Sequence, residues 1–223
     1  MVKPCGQQIA YPNKRMTSDP DTREKILDAA KATFLERGTA GARMQEIADT
    51  AGVNKALLHY HFQNKETLAG AVFQRELAAL IQPVLGTLGS DLPIEEKVPR
   101  VVRLYLNALS AFPQMPGYVL AEMHFHPERL ERFVSAITNA QPQDMARGIF
   151  DTLGRQIEQA VADGRMRPIA PQQFMVNLIS LCVFPFAARP LLELVTGGEE
   201  PYWALIEERK TTLADFYLHA LRP

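Results

Sequence analysis

The stretch that decides the fold is residues 43–62, RMQEIADTAGVNKALLHYHF. Apolar side chains recur there at helical spacing on both sides of Gly52, at Met44, Ile47, Ala48 and Ala51 before it and at Leu57, Leu58 and Phe62 after it. Gly52 tolerates the positive φ of a sharp turn, and Asn54 can cap the next helix by accepting a backbone N–H. Two short helices joined by such a turn define a helix-turn-helix.

Longer helices are predicted on either side of this motif. The first is capped by Asp19 and ends at Gly38, with an apolar stripe at Ile26, Ala30 and Phe34. The helix that follows the motif is predicted to run from Asn64 or Lys65 to about Ile81, because Pro83 comes soon afterwards.

The rest of the chain is also helical by pattern, with helices predicted at residues 95–112, 118–125, 128–137, 143–162, 172–195 and 199–221. Pro185 and Pro190 are expected to interrupt the helix at 172–195. No stretch alternates with a period of two, so the predicted fold class is all-α. We predict a flexible arm over residues 1–18, a three-helix helix-turn-helix domain over 19–82 and a second helical domain over 83–223.

The composition is typical of a globular protein. Of the 223 residues, 47% are hydrophobic and 22% are charged, and the formal net charge is −1. Basic residues slightly outnumber acidic ones up to residue 82 and the balance then reverses, which is the sign expected of a DNA-facing front. Cys5 and Cys182 lack disulfide or metal-ligand spacing, and we interpret both as free thiols in a reducing cytoplasm. The sequence has no signal-peptide pattern and no run near the roughly 20 apolar residues that a bilayer requires.

A helix-turn-helix places its second helix in the major groove of DNA, N-terminus first. Side chains from Asn54 to His61 are therefore the candidate readers of sequence. Lys55, in the first turn, could reach a guanine edge or a phosphate, whereas His59, Tyr60 and His61 could donate to phosphate oxygens. The alternative is that the same helix pair is only a structural corner. The basic pair Lys14 and Arg15 likewise predicts either phosphate contacts or a disordered terminus.

The run TREKILDAAKATFLERGTAGARMQEIADTAGVNKALLHYHFQNKETLAGAVF, residues 22–73, resembles the N-terminal domain of the TetR family. The first-helix elements of this resemblance are Ile26, Ala29, Ala30, Phe34 and Gly38. The later ones are Ile47, Ala48, Ala51, Gly52, Val53, Leu58, His61, Phe62, Lys65, Glu66 and Leu68. The resemblance implies a homodimeric DNA-binding transcription regulator.

By position, the resemblance also implies individual DNA contacts. Arg43 stands at the start of the first short helix, where the family often has a Thr or Ser bonded to phosphate. Gln45 lies one turn in, where it could reach a base or the backbone. Lys55 and Ala56 open the recognition helix, Tyr60 and His61 match positions that contact the backbone, and Lys65 resembles a phosphate-binding lysine. Leu57 and His59 depart from the family pattern, which often has Thr or Ser and usually Tyr there. The predicted DNA-binding set is Arg43, Gln45, Asn54, Lys55, Ala56, Leu57, His59, Tyr60, His61 and Lys65.

Residues 83–223 resemble the family's regulatory part in position and length. This implies a dimer through a four-helix bundle, with residues 143–162, 172–195 and 199–221 as the candidate helices. It also implies a small-molecule effector that changes the separation of the two reading heads. Candidate pocket residues are Met123, Phe125, Met145, Phe150, Phe174, Met175 and Phe184, although such side chains at helical spacing more often belong to plain core.

The resulting interpretation is a repressor that binds a palindromic operator as a homodimer and is released by a small molecule. Activation of transcription is the alternative mode. We predict no enzyme activity, cofactor or metal, because the sequence has no catalytic triad pattern, HExxH motif or Gly-rich phosphate loop. His124 and His126 lie on different helix faces, which disfavours a metal site. The rival classes are a helical enzyme or carrier and a dimeric adaptor that keeps the motif only as structure.

Overall fold

A computed structural model describes residues 20–125, 134–135 and 142–223, and within these ranges the chain is helical with no strand. The helices are α1 (Pro20–Gly41), α2 (Met44–Ala51), α3 (Lys55–His61), α4 (Lys65–Leu88), α5 (Ile94–Ala111), α6 (Met115–Phe125), α7 (Pro142–Ala162), α8 (Pro171–Ala187), α9 (Arg189–Thr196) and α10 (Glu199–Ala220). The predicted arm at 1–18 lies outside the described residues. So does the predicted helix at 128–137, apart from residues 134–135, which are helical.

The chain forms two compact units that meet at Val72 and Phe73, inside α4. The predicted end of this helix near Ile81 is wrong, because α4 continues to Leu88 with Pro83 inside it. A proline in a helix removes one hydrogen bond and strains one turn, and the remaining bonds of a long helix can sustain that loss. The predicted domain boundary after residue 82 therefore falls within a continuous helix.

In the first unit, α1 packs against α2 through the predicted apolar stripe. Ile26, Ala30 and Phe34 are buried, as expected. The helical path of α1 breaks at Gly38, which has a φ of 67° that L side chains rarely adopt. An ion pair between Arg37 and Glu46 (2.7 Å) joins α1 to α2 on the surface.

The turn between α2 and α3 has the predicted chemistry. Gly52 is left-handed, with φ 67° and ψ 28°, and its N–H donates to the carbonyl of Asp49 at 3.2 Å. Asn54 precedes α3, and its Oδ1 accepts a hydrogen bond from the Leu57 N–H at 2.8 Å. These two residues end one helix and begin the next within three positions, which fixes the angle of the motif locally.

In the second unit, α5 is the central helix and packs against both α8 and α10. Its inner side is fully buried and consists of Ile94, Lys97, Val98, Val101, Val102, Tyr105, Leu106 and Leu109. From α10, the Tyr217 hydroxyl donates to the carbonyl of Phe174 at 2.6 Å. Cys182 is a buried free thiol on α8, and burial raises its pKa to about 12, so the reactive thiolate is suppressed.

Prolines also account for the other differences from the predicted helix bounds. Helix α6 begins at Met115 and not at Tyr118, because Pro116 stands in its first turn, where a missing N–H costs nothing. Pro185 does not interrupt α8, and the break comes instead at Ala188, with Pro190 in the first turn of α9. Within the described residues no single helix is both long and apolar enough to cross a bilayer. Helices α8 and α9, bent by 71° where they meet, pass that test only as a pair.

A buried lysine ties three segments of the second unit together. Lys97 on α5 is completely buried, and its Nζ donates to the Leu88 carbonyl and to Gln156 Oε1, both at 2.7 Å. The Gln156 amide then donates to the carbonyls of Ser90 and Leu92. The network thus holds the segment between α4 and α5 against α7. Burial lowers the pKa of Lys97 to about 8, although the nearby Asp91 carboxylate acts in the opposite direction.

The lowered pKa of Lys97 predicts a pH-dependent contribution to stability. In the unfolded chain the pKa is 10.5, so between about pH 8 and pH 10 the unfolded state binds more protons than the folded state. The free energy of unfolding contributed by Lys97 should therefore rise with pH in this window. We expect the difference between the wild type and Lys97→Met in urea denaturation to rise accordingly, whereas the exposed-site control Lys55→Met should show no such trend. A pH-independent difference for Lys97→Met would contradict this assignment.

The cap at Asn54 predicts a defined cost of its removal. Asn54→Ala deletes the oxygen that accepts from Leu57 and should lower the free energy of unfolding by about 1 kcal/mol. Asn54→Ser keeps a capping oxygen and should retain most of the wild-type stability. Urea denaturation of the three proteins measures both differences, and equal losses in the two variants would show that capping is not the source of the effect.

Candidate nucleic-acid interface

Helix α3 has a buried side and an exposed side, and the exposed side carries most of the predicted reading residues. Leu58 is 0% exposed and anchors the helix from within. The solvent-exposed positions are Lys55, Ala56, His59 and Tyr60, which share one face because pairs of them are three or four residues apart. Leu57 borders this face and is half-buried. We call the four exposed residues the reading face.

The reading face offers hydrogen-bond donors and no carboxylate. Helix α3 contains no acidic residue, and Lys55 stands at its first position. Within the part of the chain that the structure describes, the Lys55 ammonium forms no ion pair or hydrogen bond. The exposed N–H groups and the positive end of the helix dipole also lie at this end of α3. The Ala56 methyl beside Lys55 leaves room for the helix backbone to approach another surface closely.

His59 and Tyr60 stand near the other end of α3. His59 Nδ1 is 3.1 Å from the carbonyl of Gln63, to which it donates, so Nε2 is the nitrogen that remains for an external partner. That nitrogen accepts in the neutral ring and donates only in the protonated ring. Tyr60 is 58% exposed, which is unusual for a large aromatic residue, and its hydroxyl can donate or accept.

His61 is half-buried and fits between two aromatic rings. Its ring lies edge-on to Tyr60 at a centroid distance of 5.4 Å and is tilted against Phe62 at 6.4 Å. The Nε2 atom of His61 is buried and has no hydrogen-bond partner among the described residues. A buried nitrogen in this state is costly, and an external group that reaches it would relieve the cost. The Arg23 guanidinium lies over the Phe62 ring, 5.4 Å from its centroid.

The two predicted DNA-binding residues at the start of α2 differ in their side-chain hydrogen bonds within the protein. Arg43 is exposed at the N-cap position and forms no side-chain cap. Arg43 therefore immediately precedes the exposed N–H groups of α2, where an anion is favoured. Gln45 donates from Nε2 to Asp49 Oδ1 at 2.8 Å along the helix, so one amide hydrogen is already used inside the protein.

Lys65 has a structural role that the sequence pattern did not reveal. Its Nζ donates to the carbonyls of Ala40 (3.0 Å) and Ala42 (3.3 Å), which lie between Gly38 and the start of α2. These bonds attach the start of α4 to the segment that joins α1 and α2. An ammonium group has three donors, so one remains for the phosphate contact that the sequence predicts.

The predicted pocket residues differ in burial. Phe174 is buried and packs edge-on against Tyr217 at 5.4 Å. The half-buried candidates are Met145, Phe150 and Met175, and the exposed ones are Met123, Phe125 and Phe184. A cavity of about 570 Å³ lies elsewhere in the second unit and is lined by Ala79, Leu80, Arg100, Arg103, Leu104, Asn107 and Ala108. None of the predicted pocket residues lines it. The signal for this cavity in the sequence is the spacing of Arg100, Arg103 and Asn107 on one helix face.

Comparison with known proteins places this geometry in a family. The family described as "Bacterial regulatory proteins, tetR family" matches residues 26–72, which include α2 and α3. The HTH-type transcriptional regulator RutR of Escherichia coli (strain K12) is 30% identical over 187 residues, or 83% of each chain. The HTH-type transcriptional activator FasR of Mycolicibacterium smegmatis is 29% identical, covering 73% of this chain and 69% of its own.

The similarity extends to structure. A transcriptional regulator of the TetR/AcrR family from Thermobifida fusca superposes with a TM-score of 0.60 at 15% identity. The match covers 91% of this chain and 100% of the other, so it supports the fold of both units. The chain therefore belongs to the TetR family of helix-turn-helix transcriptional regulators, which bind DNA and are not enzymes.

Proposed function

We propose that the protein is a ligand-responsive repressor that binds a palindromic operator as a homodimer and leaves it when a small molecule binds. Repression is the mode that the family resemblance favours. One relative is named an activator, which makes activation the alternative sign of regulation. Because the partner of a bacterial regulator is the chromosome, its proposed place of action is the cytoplasm.

The observation that carries the proposal is the reading face of α3. Burial of Leu58 fixes the rotation of the helix, so Lys55, Ala56, His59 and Tyr60 all face solvent. Lys55 and Ala56 lie at the N-terminus of α3, which is the part of a recognition helix that contacts base edges. We assign Lys55 to a guanine edge or a phosphate and Ala56 to close approach, with Leu57 against a thymine methyl group.

The remaining predicted residues are assigned to positioning on the backbone. Tyr60 and His61 would donate to phosphate oxygens, and this contact would give the buried His61 Nε2 a partner. Arg43 would bind a phosphate together with the N–H groups that begin α2. Gln45 would contribute the amide hydrogen that its bond to Asp49 leaves free, and His59 would contribute its outward nitrogen, Nε2. Asn54 would act through its cap on α3.

The proposed dimer rests on large apolar side chains that the second unit leaves exposed. Phe184 on α8 is 58% exposed and Phe216 on α10 is 63% exposed, although the two helices pack on each other. Val176 precedes Phe184 by two helical turns and is also exposed. Apolar surface of this kind is typical of a protein–protein contact. We assign the four-helix bundle to α8 and α10 of the two copies, and a two-fold dimer would match a palindromic operator.

Removal of the reading face should abolish operator binding without disturbing the fold. Lys55→Ala combined with Tyr60→Ala deletes two exposed side chains and leaves Leu58 in place. Affinity for the duplex that the wild type selects from a random pool should fall at least about tenfold. The control variant Arg222→Ala removes an exposed charge from the second unit and should bind as the wild type does. Unchanged affinity of the double variant, measured by fluorescence anisotropy, would show that the motif has only a structural role.

A charge in the proposed dimer contact should separate the two copies. Phe184→Glu with Phe216→Glu places four carboxylates in the four-helix bundle of the dimer, and we expect a monomer in sedimentation velocity. Leu120→Glu changes another large exposed apolar residue, on α6, and should leave the dimer intact. If the Phe184 and Phe216 variant remained dimeric, α8 and α10 would not form the interface.

A further inference from the structure

The cavity between α4 and α5 has one apolar side and one polar side. Leu80 from α4 and Leu104 from α5 line the apolar side together with the methyl groups of Ala79 and Ala108. The polar side consists of Arg100, Arg103 and Asn107, spaced three and four residues apart on α5. With a volume of about 570 Å³, the cavity lies within the range of small-molecule sites.

The polar side of the cavity consists of donors without partners. Within residues 20–125, 134–135 and 142–223, the side chains of Arg100, Arg103 and Asn107 form no ion pair or hydrogen bond, and all three are exposed to solvent. No carboxylate lines the cavity. Two guanidinium groups one turn apart on the same helix repel each other, and an anion between them would convert that repulsion into attraction.

We propose that this cavity binds the effector, and that the effector is an amphipathic organic anion. A carboxylate would accept hydrogen bonds from the Arg100 and Arg103 guanidinium groups, with Asn107 as a further donor. An aliphatic tail would lie against Leu104 and the methyl groups of Ala79 and Ala108, beside the buried Leu80. Inorganic phosphate shares the anionic chemistry but would leave the apolar side uncovered, so the cavity favours a ligand that has both a charge and a tail.

The position of the cavity could couple ligand binding to DNA binding. This coupling rests on the proposed function. Ala79 and Leu80 belong to α4, the helix whose first residues complete the helix-turn-helix unit. A ligand that binds one position of α4 relative to α5 better than another would shift the population of that helix. Because α4 is covalently continuous with the unit that reads DNA, the same shift changes DNA affinity.

The proposal is tested with decanoate as the probe, since it combines one carboxylate with an aliphatic chain. Binding to the full-length wild type is measured by isothermal titration calorimetry in the absence of DNA. Decanol supplies the chain without the charge, and inorganic phosphate supplies the charge without the chain. The variant is Arg100→Gln with Arg103→Gln, and the matched control is Arg147→Gln, an exposed arginine on α7 that does not line the cavity.

We expect decanoate to bind the wild type more tightly than either decanol or phosphate does. The double variant should bind it at least about tenfold more weakly, and the Arg147 variant should match the wild type. Decanoate should also lower the affinity of the wild type for its selected duplex, and the double variant should lose this response. The proposal is overturned by absent binding, by equal binding to the double variant, by equal binding of phosphate, or by binding that leaves DNA affinity unchanged.

The calorimetric arm separates this inference from the proposed function. The calorimetric measurement needs no DNA. If the protein binds decanoate through the two arginines but selects no duplex, operator recognition and the effector role are refuted and the anion site is supported. A protein that selects a duplex but ignores decanoate would refute the anion site alone.

Discussion

Burial of the inner side of α3 is the constraint on which the reading face depends. Leu58 is inaccessible to solvent, and Phe62, just beyond the helix, is buried and stacked beneath Arg23. With these two side chains held, the helix cannot rotate without exposing apolar surface, at a cost of about 2 kcal/mol for each large side chain. The exposed positions of α3 are therefore determined by the buried ones, and the donors reach solvent as a preformed set.

The second unit applies the same logic to a longer helix. One side of α5 is buried between α8 and α10, and its other side displays the two arginines that line the cavity. Lys97 is the exception, since its ammonium lies on the buried side and is satisfied by Leu88 and Gln156. A buried charge of this kind is tolerated because it is hydrogen-bonded. The same bonds join neighbouring helices.

Much of the first unit could be predicted because its signals are local. The positive φ of Gly52 and the cap at Asn54 depend only on adjacent residues, and both occur where the sequence indicates. The predicted helix bounds were wrong mainly near proline. Sequence alone does not tell whether the neighbouring turns can sustain one lost hydrogen bond. Pro83 and Pro185 are both retained inside helices.

Features that depend on tertiary contacts were not predictable in the same way. The bonds from Lys65 to the carbonyls before α2 join residues more than twenty positions apart, and the sequence around Lys65 does not predict them. The methionine and phenylalanine pattern of the second unit does not identify a pocket, for a different reason. Helical spacing is the same for a core residue such as Phe174 and for an exposed one such as Phe184, so it cannot separate core, interface and pocket.

We propose that the exposed side of α3 reads DNA in a symmetric pair. Enrichment of random duplexes on the purified protein, followed by titration of the selected duplex at several salt concentrations, tests this directly. We expect a palindrome with half-sites about one helical turn apart, or a multiple of it, and an affinity that falls steeply with salt as counterions are released. Weak binding without sequence preference at every salt concentration would contradict it.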